Sequence, residues 1–293
     1  MRTHVLAAIL FAAAATPAAA YTSYLKPESF WVTEAEVSVE GSYTTTFFTP
    51  GIALGANLTV LNPEGDRVTV DRIAVTAEGT TDLEADLARG GTYRVSTGEV
   101  IGQVANLVAG EDGQWRVLGD DEVPPEGATT TTLQTITVAD TYVTRGTATS
   151  DVIEDPIGRL ALRPITHPNQ VLVSHGFEIE LLFDGAPMAN SAVVIYASGD
   201  PETKLDRYVV TNEQGRATFT FDQPGQYIIA ARHRADLPPG SDAEVGSYTT
   251  TLTFEALSQL YAETEIQTVT EAEPAPPSRA RLPARRRVGR PDY

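Results

Sequence analysis

An all-β chain of two tandem β-sandwich domains, the second Ig-like, is what the sequence predicts, on three observations. Apolar and polar residues alternate through most of the chain, Thr and Val are frequent, and no long stretch has helical periodicity. Two segments 134 residues apart, Leu87–Val95 and Phe221–Ile229, share a local pattern. In each, an apolar residue is followed four positions later by Gly (Gly91, Gly225), two further on by Tyr (Tyr93, Tyr227), and then by an apolar strand. Gly takes the positive φ of a tight inter-strand corner. The Tyr buries its ring and ties its hydroxyl to the corner, as in the tyrosine corner of β-sandwiches. Finally, 293 residues suffice for two domains of ordinary size.

The elements follow in order. Trp31 to Tyr43 reads as one or two strands, with Val32, Val37 and Val39 set among Glu34, Glu36 and Glu40. Asn57 to Leu61 is a strand ended by the turn Asn62-Pro63-Glu64-Gly65. Val68 to Val70 and Ile73 to Val75 follow, then the strand opening at Tyr93 and another from Val100 to Val108. Residues 110–127 form an acidic insertion bounded by Gly and Pro, with a short strand at Gln114 to Val117. Thr129 to Thr144 is the most β-prone stretch. The linker falls at 147–156, where apolar residues thin out.

The second domain alternates more cleanly. It opens at Leu160 to Ile165, and Phe177, Ile179, Leu181 and Phe183 share one face of the next strand. Asp184-Gly185 turns the chain, and Ala192 to Tyr196 is apolar enough to be covered on both faces. Arg207 to Val210, Ala217 to Phe221, Tyr227 to Ala231 and Tyr248 to Phe254 complete seven short strands, the number expected of an Ig-like sandwich. The boundaries are thus 21–150 for the N-terminal sandwich and 157–256 for the C-terminal one.

Residues 1–20 read as a secretory signal peptide: Arg2 and His4, the apolar run Val5 to Ala15, then Ala18-Ala19-Ala20. The run falls short of the roughly 20 residues that span a bilayer, and no later segment is long and apolar enough. The expectation is a chain exported to the periplasm or secreted, with no membrane span once processed. No Cys is present, which excludes disulfides, thiolate metal sites, Cys nucleophiles and a lipidated Cys, and fits a bacterial envelope protein. Residues 21–270 hold 36 acidic against 14 basic residues, a net charge of −22 that disfavours nucleic acid and anionic lipid. Residues 257–293 read as a Pro- and Arg-rich disordered tail. Arg279, Arg281, Arg285, Arg286, Arg287 and Arg290 suit it to an acidic surface, or it is an inert extension.

Candidate chemistry is sparse. His167, in Thr166-His167-Pro168-Asn169, and His175 flank one loop and are the candidate ligands of a divalent transition metal. The competing assignment is a loop His bonded to backbone and a solvent-exposed one. His233, between Arg232 and Arg234, is placed on a strand surface. Asp120, Asp121 and Glu122 offer oxygen ligands for Ca²⁺, or are merely solvated, and Trp115 is either a carbohydrate platform or a half-buried hairpin residue. No nucleophile elbow, phosphate loop, HExxH or EF-hand loop is present, so no enzyme activity, catalytic residue or required cofactor is expected.

The order of motifs resembles the bacterial family called domain of unknown function 4198. The resemblance runs through Tyr24-Leu25-Lys26-Pro27, Leu58 to Gly65, Leu87 to Val95, Gln114 to Arg116, Pro124 to Ala128 and Tyr142 to Gly146. Its most specific segments are Leu162 to Asn169, Leu182 to Pro187 and Thr211 to Tyr227. It implies two β domains, the second Ig-like or transthyretin-like, in an exported protein whose relatives are often labelled components of cobalt or nickel uptake. Relatives commonly carry a His beside the mature N-terminus, where this chain has Tyr21-Thr22-Ser23-Tyr24; His167 matches a family His. Two functions remain open. One is a periplasmic binding or accessory module linked to uptake of a metal ion or complex. The other is a structural or interaction module of the envelope, binding a transporter or outer-membrane receptor through sandwich edges and the Arg-rich tail.

Overall fold

In a computed structural model of the protein, which describes residues 21–110, 113–119 and 121–260, the chain forms three β-sheets and one helical turn, Asp151–Glu154. The leader at 1–20 and all but the first four residues of the tail lie outside the described residues.

The first sheet runs Thr22–Pro27, Glu36–Thr44, Thr81–Asp86, Val70–Val75, with Ile52–Ala53 also on Glu36–Thr44. The third centres on Phe177–Phe183, flanked by Leu160–Pro164 on one side and by Arg216–Phe219 and Ala186–Pro187 on the other. Between them lies a middle sheet. Its main path is Tyr208–Val210, Ala192–Ala197, Gly225–Asp236, Val245–Leu257, Thr130–Arg145, Gly91–Ser96, Thr59–Leu61, Arg67–Val68. The hairpin Val100–Ala109 and Trp115–Val117 hangs on Thr130–Arg145.

The two sandwiches predicted from sequence are both present, and they share this middle sheet. Thr130–Arg145, from the first, lies parallel to Val245–Leu257, from the second, in register from Leu133 with Val245 to Thr141 with Thr253. Side chains alternate across a strand, so a sheet covered on both sides must be apolar on both. On one face, Ala139, Val143, Tyr93 and Val95 pack against Leu25, Val37, Val39 and Leu83 of the first sheet. On the other, Tyr142, Ile195, Ile229 and Phe254 pack against Leu162, Phe177, Ile179 and Phe219 of the third sheet and its strands. A smaller cluster carries the first sheet over the second sandwich: Tyr24 and Phe47 against Tyr196, Ile228 and Ala230. Val193 to Tyr196 are buried or half-buried on both faces for this reason, as the composition of the run predicted, while Ala192 at its start is exposed.

Both corners form. The Tyr93 hydroxyl donates to the Arg89 carbonyl and accepts from the Arg89 N–H, each at 2.9 Å. The Tyr227 hydroxyl donates to the Gln223 carbonyl at 2.8 Å. Gly91 has φ +131°, and a Cβ there would collide with the Pro63 ring. The linker departs from expectation. Val152 and Ile153, on its helical turn, are buried in the second core, so the segment is pinned between the sandwiches. Two strands are also longer than their apolar runs suggested: Gly225–Asp236 and Val245–Leu257 continue past the core as polar, half-exposed ribbon.

Tyr93→Phe and Tyr227→Phe should each lower unfolding free energy by about 1 kcal/mol, the net worth of a part-buried hydrogen bond. Tyr142 is a matched control, because its buried hydroxyl has no hydrogen-bond partner. Tyr142→Phe should leave stability unchanged or raise it, as read by urea denaturation of the three variants.

Candidate functional site

A buried polar cluster lies where the two sandwiches and the linker meet. It grows from three segments: Gly91–Ser96, the end of Thr130–Arg145, and the loop 165–170. His167 accepts at Nδ1 from the Asn169 N–H at 3.1 Å, which leaves the ring proton on Nε2. Nε2 lies 2.9 Å from Thr92 Oγ1 and 3.1 Å from the Thr149 carbonyl. Thr92 Oγ1 is 3.0 Å from Thr144 Oγ1, and Thr144 donates to Asn169 Oδ1 at 2.9 Å. The donors therefore run one way around a closed ring, from His167 to Thr92, Thr144, Asn169 and back to His167. Asn169 Nδ2 donates to the Tyr142 carbonyl, and Thr92 and Thr149 exchange backbone-to-hydroxyl bonds at 3.0 Å each. Burial pushes the His167 imidazole below its ordinary pKa, opposed by the Thr149 carbonyl.

Two residues along the same strand, Arg94 is 1% exposed and grips Asp140 through Nε–Oδ1 at 3.2 Å and Nη2–Oδ2 at 2.5 Å. Its Nη1 donates to the Asp155 carbonyl of the linker at 2.5 Å, and its guanidinium lies 5.5 Å from the Tyr142 ring centre. A third knot clamps the outer end of the junction. Arg159 pairs with both oxygens of Asp184, at 2.6 and 2.7 Å, and bonds the Tyr248 hydroxyl between the rings of Phe183 and Tyr248. Every charge in these knots is matched, so their chemistry is cohesion between segments.

The sequence-predicted ligands fall in different surroundings. His167 sits in the ring, with both nitrogens engaged. His175 is exposed, its Nδ1 2.9 Å from Ser174 Oγ. Among the described residues, no group of three or more His, Asp or Glu is placed to hold a metal ion. His233 is half-buried, edge-on to Phe183 at 4.6 Å, and burial followed by the Arg159 charge lowers its pKa. Of the acidic loop, Asp120 lies outside the described residues, and Glu122 is bound to Arg116, whose hydrogen bonds hold its carboxyl down to about 2. An open groove beside that loop is lined by Asn106, Glu122, Thr131 and Glu244; Thr131 donates to Glu244 at 2.7 Å. The two threonines of the ring, Thr92 and Thr144, and the linker Thr149 beside it gave no signal in the sequence, since Thr residues are common and only the fold brings these together.

One surface stands apart from the knots. Past the covering sheets, the middle sheet continues as an arm made of the paired strands Val100–Ala109 and Trp115–Val117, 130–135, 232–236 and the start of Val245–Leu257. Residues 138–144 and 227–231 are buried, whereas 130–135 and 232–236 are half-buried or exposed. Ile101, Trp115, Val117 and Val123 stay open to solvent. Pairing of Val117 with Leu107 and of Ile101 with Ile136 puts Trp115 and Val117 on one face and Ile101 on the other.

The fold and its junction define a class of protein: a double β-sandwich fused through one shared sheet. The chain belongs to the family described as "Domain of unknown function (DUF4198)", whose model matches residues 18–235. No curated protein matches it. Among solved structures it is similar to the "D0-D1 domain of Intimin", at 11% identity over 78% of this chain and 96% of that one, TM-score 0.20. It is also similar to a "tetra-tandem repeat in extending region of large adhesion protein", at 12% identity over 80% of this chain and 74% of that one, TM-score 0.20. Superposition this loose carries no argument about this chain's role.

Arg94→Met should cost about 3–5 kcal/mol, because it strands a buried carboxylate. Arg94→Met combined with Asp140→Leu should cost much less than the single change. Urea midpoints of the three proteins check both statements.

Proposed function

We propose that this protein is an exported, non-enzymatic binding module of the bacterial envelope that engages a protein partner through its arm. The leader at 1–20 would deliver it to the periplasm or cell surface. The observation that carries the reading is the arm: a stretch of sheet half-buried or exposed at 100–106, 130–135 and 232–236, with Trp115 40% and Val117 52% exposed on one face beside the buried Leu107. Buried aromatic anchors dominate protein interfaces, and an exposed Trp beside an apolar neighbour is such an anchor without its pocket. The partner class is an envelope transporter or outer-membrane receptor. A photo-crosslinking residue at Val117, in cells, should trap an envelope protein, while the same residue at exposed Glu213 should not. Equal trapping at both sites, or none at Val117, removes the arm as the binding surface.

The metal-linked version of this role would run through His175 and the acidic body, since His167 spends both nitrogens on protein partners. Calorimetric titration of the processed chain with Ni²⁺, Co²⁺, Zn²⁺ and Cu²⁺ separates the two versions. The arm reading expects affinities no tighter than about millimolar. Tighter binding that His175→Ala abolishes would reinstate metal uptake.

A further inference from the structure

We infer that His167 makes the junction between the two sandwiches an acid-sensitive latch: protonating its ring frees the loop segment 167–170 from the first sandwich, while Ile165 and Thr166 stay bonded to Glu178 and both sandwiches stay folded. The geometry demands a neutral imidazole. Nδ1 must be a bare lone pair to accept the Asn169 N–H, and Nε2–H must face the Thr92 hydroxyl and the Thr149 carbonyl. A second proton can go only onto Nδ1, where it would point at the Asn169 N–H. That bond then turns into donor against donor, and the ring of four loses its closure. Asn169 is 2% exposed, so the N–H it would orphan has little water to turn to.

Among the described residues, nothing charged faces the imidazole to hold that proton. Its partners are the Thr92 and Thr149 groups and the Asn169 amide, with Thr144 next around the ring. The arginines of the same elements bond elsewhere. On the strand Gly91–Ser96, Arg94 is spent on Asp140 and the Asp155 carbonyl. On Thr130–Arg145, Arg145 donates to the Leu87 carbonyl. On the strand leading into the loop, Arg163 is paired with Glu180. In the linker, Asp151 and Glu154 lie on the helical turn.

The loop is also the right element to come loose alone. It is joined to the first sandwich through His167 and Asn169, whereas the flanking Leu160–Pro164 and Phe177–Phe183 are locked in a five-residue antiparallel register. With a folded pKa below the unfolded value of about 6.5, the latch is at full strength above pH 6.5 and weakens as pH falls towards the folded pKa.

Amide exchange, corrected for intrinsic rates, tests this in the whole processed protein. Between pH 7.5 and 5, protection at Asn169, Thr149 and Thr92 should fall, with that at Ile179 and Ile229 unchanged. His167→Asn keeps a non-titrating side-chain oxygen for the Asn169 N–H, in an Asx turn, and should abolish the acid response. An unchanged response in that variant, or equal loss of protection at Ile179 and Ile229, overturns the latch. Should the variant not fold, the His167 imidazole is titrated in wild-type protein by NMR: a pKa below 6.5 is expected, and one at or above 6.5 overturns the inference.

Discussion

The parallel seam between Thr130–Arg145 and Val245–Leu257 is the constraint on which the rest of the structure depends. Its partners, such as Leu133 and Val245, are over a hundred residues apart, so closing it has a large loop entropy to overcome. The return is a sheet buried on both faces, each apolar side chain of which removes about 25 cal/mol per Å² from water. The composition of the seam follows. A strand packed on two sides by other sheets wants small β-branched residues, and Thr141, Thr250, Thr251 and Thr253 fill it. The seam also supplies polar tethers: Thr141 donates to the Thr253 carbonyl, and Thr251 donates to the Ser23 carbonyl of the N-terminal strand. That strand, Thr22–Pro27, is thereby sealed beneath both halves.

The legible features of this sequence are those whose physics is local. The Gly-x-Tyr corners were readable because a positive-φ glycine, a buried ring and a carbonyl four residues back all lie within one short segment. Alternation in Phe177–Phe183 was readable because the pleat has period two. The parallel seam left no trace, since neither strand carries anything that names the other. The linker misled because local density of apolar residues is low at 147–156, and two of them, Val152 and Ile153, are enough to anchor a helical turn in the core. His167 stood out by residue type, but its role lay in Thr92, Thr144 and Thr149, which only the assembled fold brings to it.

The buried charges follow the same logic. Arg94 and Asp140 gain little net stability over a well-packed apolar pair, because both had to leave water. What the pair does provide is discrimination: any other register of Gly91–Ser96 on Thr130–Arg145 would bury the two charges apart. The linker takes part in both central knots, through the Asp155 carbonyl at Arg94 and through Thr149 at Thr92 and His167. The strand Gly91–Ser96 is thus a rail to which the linker is fixed at two points. A hinge between sandwiches needs a free connection, and this connection has none.

Rigidity narrows where recognition can occur. With both faces of the middle sheet covered away from the arm and the linker pinned, a partner meets a preformed surface and pays little to order it. Strand addition to a sheet edge is the usual route for a β-protein. The end strands of the middle sheet are short, three residues at Tyr208–Val210, two at Arg67–Val68 and three at Trp115–Val117, whereas on the arm Arg232–Asp236 runs past its pairing with Ala192–Ala197 and has a strand on one side only. Short edges protect against edge-to-edge pairing and give an incoming strand few backbone bonds. Side chains add to whatever an edge supplies, and Trp115, 40% exposed, offers a rigid ring with little rotamer entropy to lose. Its place on the uncovered arm, away from the polar knots, lets binding proceed without disturbing the junction that holds the fold together.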